Sequence, residues 1–197
     1  MNKKVEIRTI GEAPVAGEGR TISGYAIVFD VESRVIPSWD GDFVEIIERG
    51  AVDDELIAQS DVKALFNHVN SMLLARSVNG DGTLKLSVDN RGLRFEFEAP
   101  NTSHGNDVLE LVKRGDLRGC SFAFTADEEN IKYSRDGERR VRRVRKLSGL
   151  YDVSVVVEPA YTQTSVDARS FPEPDPAPVA GRSLAECQEI INRMREC

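Results

Sequence analysis

A chain of 197 residues, 40% hydrophobic and 30% charged, is long enough for one globular domain with a sizeable core, or one domain plus a tail. A formal charge of −7 argues against general nucleic-acid binding, and no apolar run approaches the length of a membrane span. Three cysteines (Cys120, Cys187 and Cys197) have no metal-ligand spacing and cannot all pair, which points to a reducing compartment.

The N-terminus, Met1-Asn2-Lys3-Lys4-Val5, leads straight into alternating residues and is not a signal peptide. The first half then reads mostly as strands. Val5, Ile7 and Thr9 alternate with charged residues, and Thr21 to Phe29 forms a second run. Gly24 inside that run marks a bulge or a point of close approach. Phe43 to Ile47 is a third strand. Glu48 to Gln59 is predicted as a helix with Asp53, Asp54 and Glu55 in its early turns, where the dipole favours acids. Val62, Ala64, Phe66 and His68 share one face of a strand, if it extends that far.

Leu73 to Val78 is followed by a turn at Asn79-Gly80-Asp81-Gly82. Leu84, Leu86 and Val88 then alternate up to a second turn, Asp89-Asn90-Arg91-Gly92, and Leu93, Phe95 and Phe97 continue the meander. Thr102 or Ser103 caps a helix that ends near Arg114, with Gly115 as its C-cap. Leu117 to Thr125 is a strand with Arg118, Cys120, Phe122 and Phe124 on one face. Gly119, Ser121, Ala123 and Thr125 lie on the other. The phenylalanines claim the core, so Ser121 points away between two small neighbours. Arg135-Asp136-Gly137 is a hairpin turn, and Leu150 to Val157 is a β-branched strand that carries Asp152 on the face of Leu150, Ser154 and Val156. Pro172, Pro174, Pro176 and Pro178 stiffen a linker over 169–181. An amphipathic helix over 182–197 follows, opened by the capping-box pair Ser183 and Glu186.

A serine nucleophile needs a base, and the base needs a group that fixes its tautomer. Only two histidines exist, and His68, at the end of an apolar strand, is the better base; His104 sits in a helix start where a solvated imidazole is commonplace. A carboxylate inside a strand is costly to desolvate unless it is paired, so Asp152 reads either as the partner of a histidine N–H or as an edge-strand charge that discourages aggregation.

The order His68, then Ser121-Phe122-Ala123-Phe124, then Asp152-Val153-Ser154-Val155-Val156 with Glu158-Pro159-Ala160-Tyr161, resembles the prohead serine proteases of tailed phages. These are similar in fold to assemblin, the herpesvirus capsid-maturation protease. Ser23-Gly24-Tyr25-Ala26 and Arg49-Gly50-Ala51-Val52 extend the resemblance over about residues 5 to 166. It implies a mixed, β-rich fold: a closed β-barrel of mostly antiparallel strands with a few flanking helices over residues 1–168. It also implies His68 as base, Ser121 as nucleophile and Asp152 as orienter. The third member is a second histidine in the herpesvirus branch and often glutamate in phage relatives. The implied activity is that of a serine endopeptidase. Its expected substrates are the major capsid protein, scaffold segments and the protease itself. The expected location is the host cytoplasm, inside the assembling procapsid, without secretion, membrane, specific nucleic acid, cofactor or metal; a homodimer is a further expected partner.

Rival readings remain at this level. Cys120 adjoins Ser121, but its face is the core face, where a thiol behaves as a small apolar group. A non-enzymatic barrel that docks on shell or scaffold proteins would leave His68 and Asp152 structural. The basic run Arg139, Arg140, Arg142, Arg143, Arg145 and Lys146 reads as the solvated side of a hairpin strand or as a grip on an acidic scaffold or a nucleic acid. Val141 and Val144 fall on opposite faces of it, which suggests a bulge. The C-terminal helix either covers the barrel or serves as a docking arm.

Overall fold

A computed structural model describes residues 4–39 and 41–157. The linker over 169–181, the helix over 182–197 and the Pro159-Ala160-Tyr161 block lie outside the described residues. In chain order the strands begin with β1 (Glu6–Ile10), β2 (Val15–Ala16), β3 (Thr21–Val28) and β4 (Phe43–Ile47), and helix α1 (Asp54–Ala58) follows. Next come β5 (Asp61–Phe66), β6 (Leu73–Val78), β7 (Asp81–Gly82), β8 (Leu84–Val88) and β9 (Gly92–Glu98), then helix α2 (Ser103–Arg114). The described part ends with β10 (Gly119–Thr125), β11 (Ile131–Asp136), β12 (Arg139–Val144) and β13 (Gly149–Val156).

These strands form three sheets, with orders β1-β10-β13-β5-β6-β7, β2-β3-β9-β8 and β11-β12-β4. The β-rich content agrees with expectation, but among the described residues no sheet closes into a barrel. The largest sheet ends at β1 on one side and at the two-residue β7 on the other. Beyond Gly82, where φ is +142°, the chain leaves that sheet and β8 begins in the next one. A shared core takes the place of a closed ladder. Ile22, Phe95, Val62, Phe122, Phe124, Leu150, Val153, Val155 and Val108 belong to one buried cluster drawn from β3, β9, β5, β10, β13 and α2. Burying each such large side chain contributes roughly 1.5–3 kcal/mol.

Gly24 is the point of close approach. A Cβ there would lie 3.0 Å from Phe95 Cζ and 3.3 Å from Cys120 Sγ. The bulge expected near it falls just beyond, between Tyr25 and Ile27. The helix expected over 48–59 is shorter. Gly50, at φ +89°, bends the chain, and α1 starts only after Asp53, whose side chain accepts from Leu56 N at 2.8 Å. Helix α2 is capped as expected, by Thr102 at its start and left-handed Gly115 at its end. No register shift interrupts β12. Val141 packs with Val44 and Ile46, and Val144 joins the main core on the other face, so two apolar sides replace the expected bulge.

Candidate active site

The site is assembled on the outer face of the six-stranded sheet, from β10, β13 and the end of β5. On β10 the expected alternation holds. Cys120, Phe122 and Phe124 enter the core, whereas Ser121 lies outside that cluster. Ser121 is opposite Ser154 of β13, and Ala123 is opposite Asp152. A bulge then lets one residue through, because Phe124 pairs with Leu150 and leaves Tyr151 without a partner. Leu150 therefore turns into the core while Asp152 and Ser154 stay outside it, and the single face expected for Leu150, Asp152 and Ser154 is broken at Tyr151.

Strand β5 does not extend to His68. It ends at Phe66, and Asn67 and His68 both adopt left-handed conformations, with φ of +51° and +59°. Asparagine tolerates that region better than most residues, and its contacts hold the turn here. Asn67 N donates to Val155 O at 3.0 Å, and Asn67 Oδ1 accepts from Val157 N at 3.2 Å. Because β5 runs parallel to β13, this turn returns the imidazole to the rows of Ser121 and Asp152. His68 Nδ1 lies 2.8 Å from Asp152 Oδ1, and His68 Nε2 lies 2.6 Å from Ser121 Oγ. A carboxylate only accepts, so Nδ1 carries the proton toward Asp152 and Nε2 faces the serine as an acceptor.

The structure thus brings His68, Ser121 and Asp152 together across 53 and 84 residues of sequence. Asp152 is largely buried and doubly bound, because Ser154 Oγ also donates to its Oδ1 at 2.9 Å. Ser154 Oγ lies 3.2 Å from His68 Nδ1. His104 is exposed in the first turn of α2. Cys120 has no surface exposure, and burial pushes its thiol up to about 12, with Glu12 adding to the shift, so it is unsuited to act as a thiolate.

Over residues 3–174 the sequence matches the model of the caudovirus prohead serine protease family. The chain belongs to that family. The prohead protease is a serine endopeptidase of phage capsid maturation, with capsid and scaffold proteins as substrates inside the assembling procapsid. No curated protein and no solved structure matches the chain. The family sets the non-enzymatic barrel aside. Among the described residues, no helix is long and apolar enough to cross a membrane.

The basic run of the protease is taken up internally. Arg139 pairs with Glu32, and Arg142 with Glu6 and Glu45. Arg145 donates to Glu129 O, and Arg140 to Gly41 O. Two residues at the site were not singled out from sequence. Ser154 was within reach, being two positions from Asp152 on an alternating strand. Thr9 was not: its hydroxyl donates to Ser121 Oγ at 3.1 Å across 112 residues.

Proposed function

We propose that His68, Ser121 and Asp152 carry out the peptide-bond hydrolysis of this prohead protease. The observation that supports this most directly is one imidazole bonded at both ends, to a carboxylate at 2.8 Å and to a hydroxyl at 2.6 Å. Asp152 accepts from Nδ1–H, which leaves Nε2 free to take the Ser121 proton. Ser121 Oγ then attacks the carbonyl carbon of the scissile bond, and the imidazolium formed is stabilised by Asp152. Nε2–H returns its proton to the leaving amine as the C–N bond breaks. Water, deprotonated by the same nitrogen, hydrolyses the acyl-enzyme and restores the serine. Ser121 itself has no surface exposure, so a peptide carbonyl reaches Oγ only after a neighbour on that face moves.

In this reading the substrates extend to the protease chain itself, as well as shell and scaffold proteins. The test is co-expression of wild type, Ser121→Ala and Cys120→Ala with the capsid protein of the same phage, with intact masses read for both partners. Wild type and Cys120→Ala cut the capsid protein and shorten their own chain. Ser121→Ala leaves both at full mass, as expected for a turnover loss on the order of 10⁶-fold. A Ser121→Ala chain that still cuts, or a Cys120→Ala chain that does not, would refute the assignment.

A further inference from the structure

The nucleophilic oxygen has two neighbours that the His–Ser–Asp arrangement does not explain, and both come from β1. Thr9 Oγ1 donates to Ser121 Oγ at 3.1 Å, and the Ser121 hydroxyl donates to the Arg8 carbonyl at 2.8 Å. Register dictates this meeting, because Thr9 is the residue opposite Ser121 in the antiparallel β1–β10 pair and so shares its face. The next residue pins the strand. The Arg8 side chain leaves by the opposite face, donates from Nε to Glu45 Oε1 at 2.8 Å and pairs with Glu6 at 2.6 Å. Arg142 closes the cluster by pairing with Glu6 at 2.7 Å and with Glu45. Glu45 and Arg142 are only 3% and 5% exposed, and a slip of β1 by one residue would take from them the partners that β1 supplies, Arg8 and Glu6. Thr9 is therefore held in one place relative to the nucleophile.

Its position suits the step at which charge develops. When Ser121 Oγ bonds to the substrate carbon, that oxygen becomes a weaker acceptor. The former carbonyl oxygen, attached to the same carbon, takes the negative charge. A hydroxyl proton rotates freely about its C–O bond. The Thr9 proton, freed from Oγ, can swing toward this adjacent oxygen while β1 stays in place. The Arg8 carbonyl cannot serve in this way, because it only accepts. It competes with His68 for the Ser121 proton at rest and must give it up before attack.

We propose that Thr9 is a further catalytic residue of the prohead protease, a side-chain donor to the oxyanion of the tetrahedral intermediate. This rests on Ser121 being the nucleophile. The test uses the full-length protein and a fluorophosphonate probe. In that reaction the Ser121 Oγ–P bond forms, the P–F bond breaks, fluoride leaves and the serine proton passes to His68, while charge builds on the phosphoryl oxygen. Thr9→Val keeps the β-branched shape and removes the hydroxyl; Thr9→Ser keeps the hydroxyl and removes the methyl group. The expected maximal labelling rate of Thr9→Val is lower by on the order of 10²–10³-fold, at a half-saturating probe concentration within about twofold of wild type. Thr9→Ser is expected to stay within about threefold of the wild-type rate. Wild-type labelling by Thr9→Val, or an equal loss in Thr9→Ser, would overturn the role of Thr9 and leave that of Ser121 intact. Labelling of Ser121→Ala at the wild-type rate would overturn both.

Discussion

At the scale of single residues, the site depends on how firmly His68 is held. Its ring is fixed by Asp152 through Nδ1, and Asp152 is fixed in turn by Ser154 Oγ. Replacing Asp152 by asparagine keeps the volume but offers Nδ1 an amide that can donate, which favours the tautomer with Nε2 protonated. That form cannot accept the serine proton. Asp152→Asn is therefore expected to lower kcat by on the order of 10⁴-fold while leaving the thermal unfolding midpoint within a few degrees, measured by turnover and calorimetry on the same preparation. A loss below tenfold would show that Asp152 only fills space. Much of this was legible in the chain. Alternation on β10 put Ser121 and Cys120 on opposite faces, and an acid inside a β-branched strand called for a partner. The left-handed turn at Asn67 and His68 was not legible, because the residues around it read as a strand. Its cause is the hydrogen bonding of Asn67 to Val155 and Val157, 88 and 90 residues further on.

At the scale of elements, β1 is an edge strand that behaves as part of the site. Alternation showed that it was a strand, and its pairing with β10 was hidden because register between segments so far apart leaves no local trace. The basic run that begins in β12 is only in part the solvated face that it reads as, with Arg139, Arg145 and Lys146 exposed. Arg142 of that run is instead buried against Glu45 of the parallel neighbour β4 and Glu6 of β1. This cluster gives the fold an acid-sensitive seam. Burial pushes the Glu6 carboxyl up, but Arg8 and Arg142 together outweigh it and hold the group below its ordinary value of 4.5. A lowered folded value means stability that is present above the unfolded value and lost as pH falls through the folded one. The unfolding free energy of wild type is thus expected to exceed that of Glu6→Gln at pH 6 to 7. The gap should narrow as pH drops below about 4.5, followed by urea titration at each pH. A gap that stays constant down to pH 3 would mean that the carboxylate charge of Glu6 does not hold β1 in place.

At the scale of the whole molecule, expectation and structure part at the closure of the sheet. The turn at 89–92 and the Asp136-Gly137 hairpin are marked by their own residues and were readable, but the expected meander holds only from β8 to β9, because Asp81–Gly82 forms β7 beside β6 and β8 pairs in another sheet. Which strands lie side by side was not readable, since two of the pairings, β13 with β5 and β12 with β4, are parallel and join distant segments. The result is a six-stranded sheet whose inner strands β10 and β13 are paired on both sides and largely buried, next to a three-stranded sheet whose edge strand β11 is exposed at five of its six positions. Strand β10, which carries Ser121, is buried along its whole length. Local opening should follow this gradient, because exposed edge hydrogen bonds break without disturbing a packed core. In hydrogen exchange of the folded protein, amides of β10 and β13 are expected to exchange only by global unfolding, and those of β11 much sooner through local opening of its hairpin. Mild denaturant separates the two mechanisms, since only the global one accelerates steeply with it. Exchange of β10 at the rate of β11, with the same denaturant dependence, would show that the site rests on a sheet that opens with its neighbour.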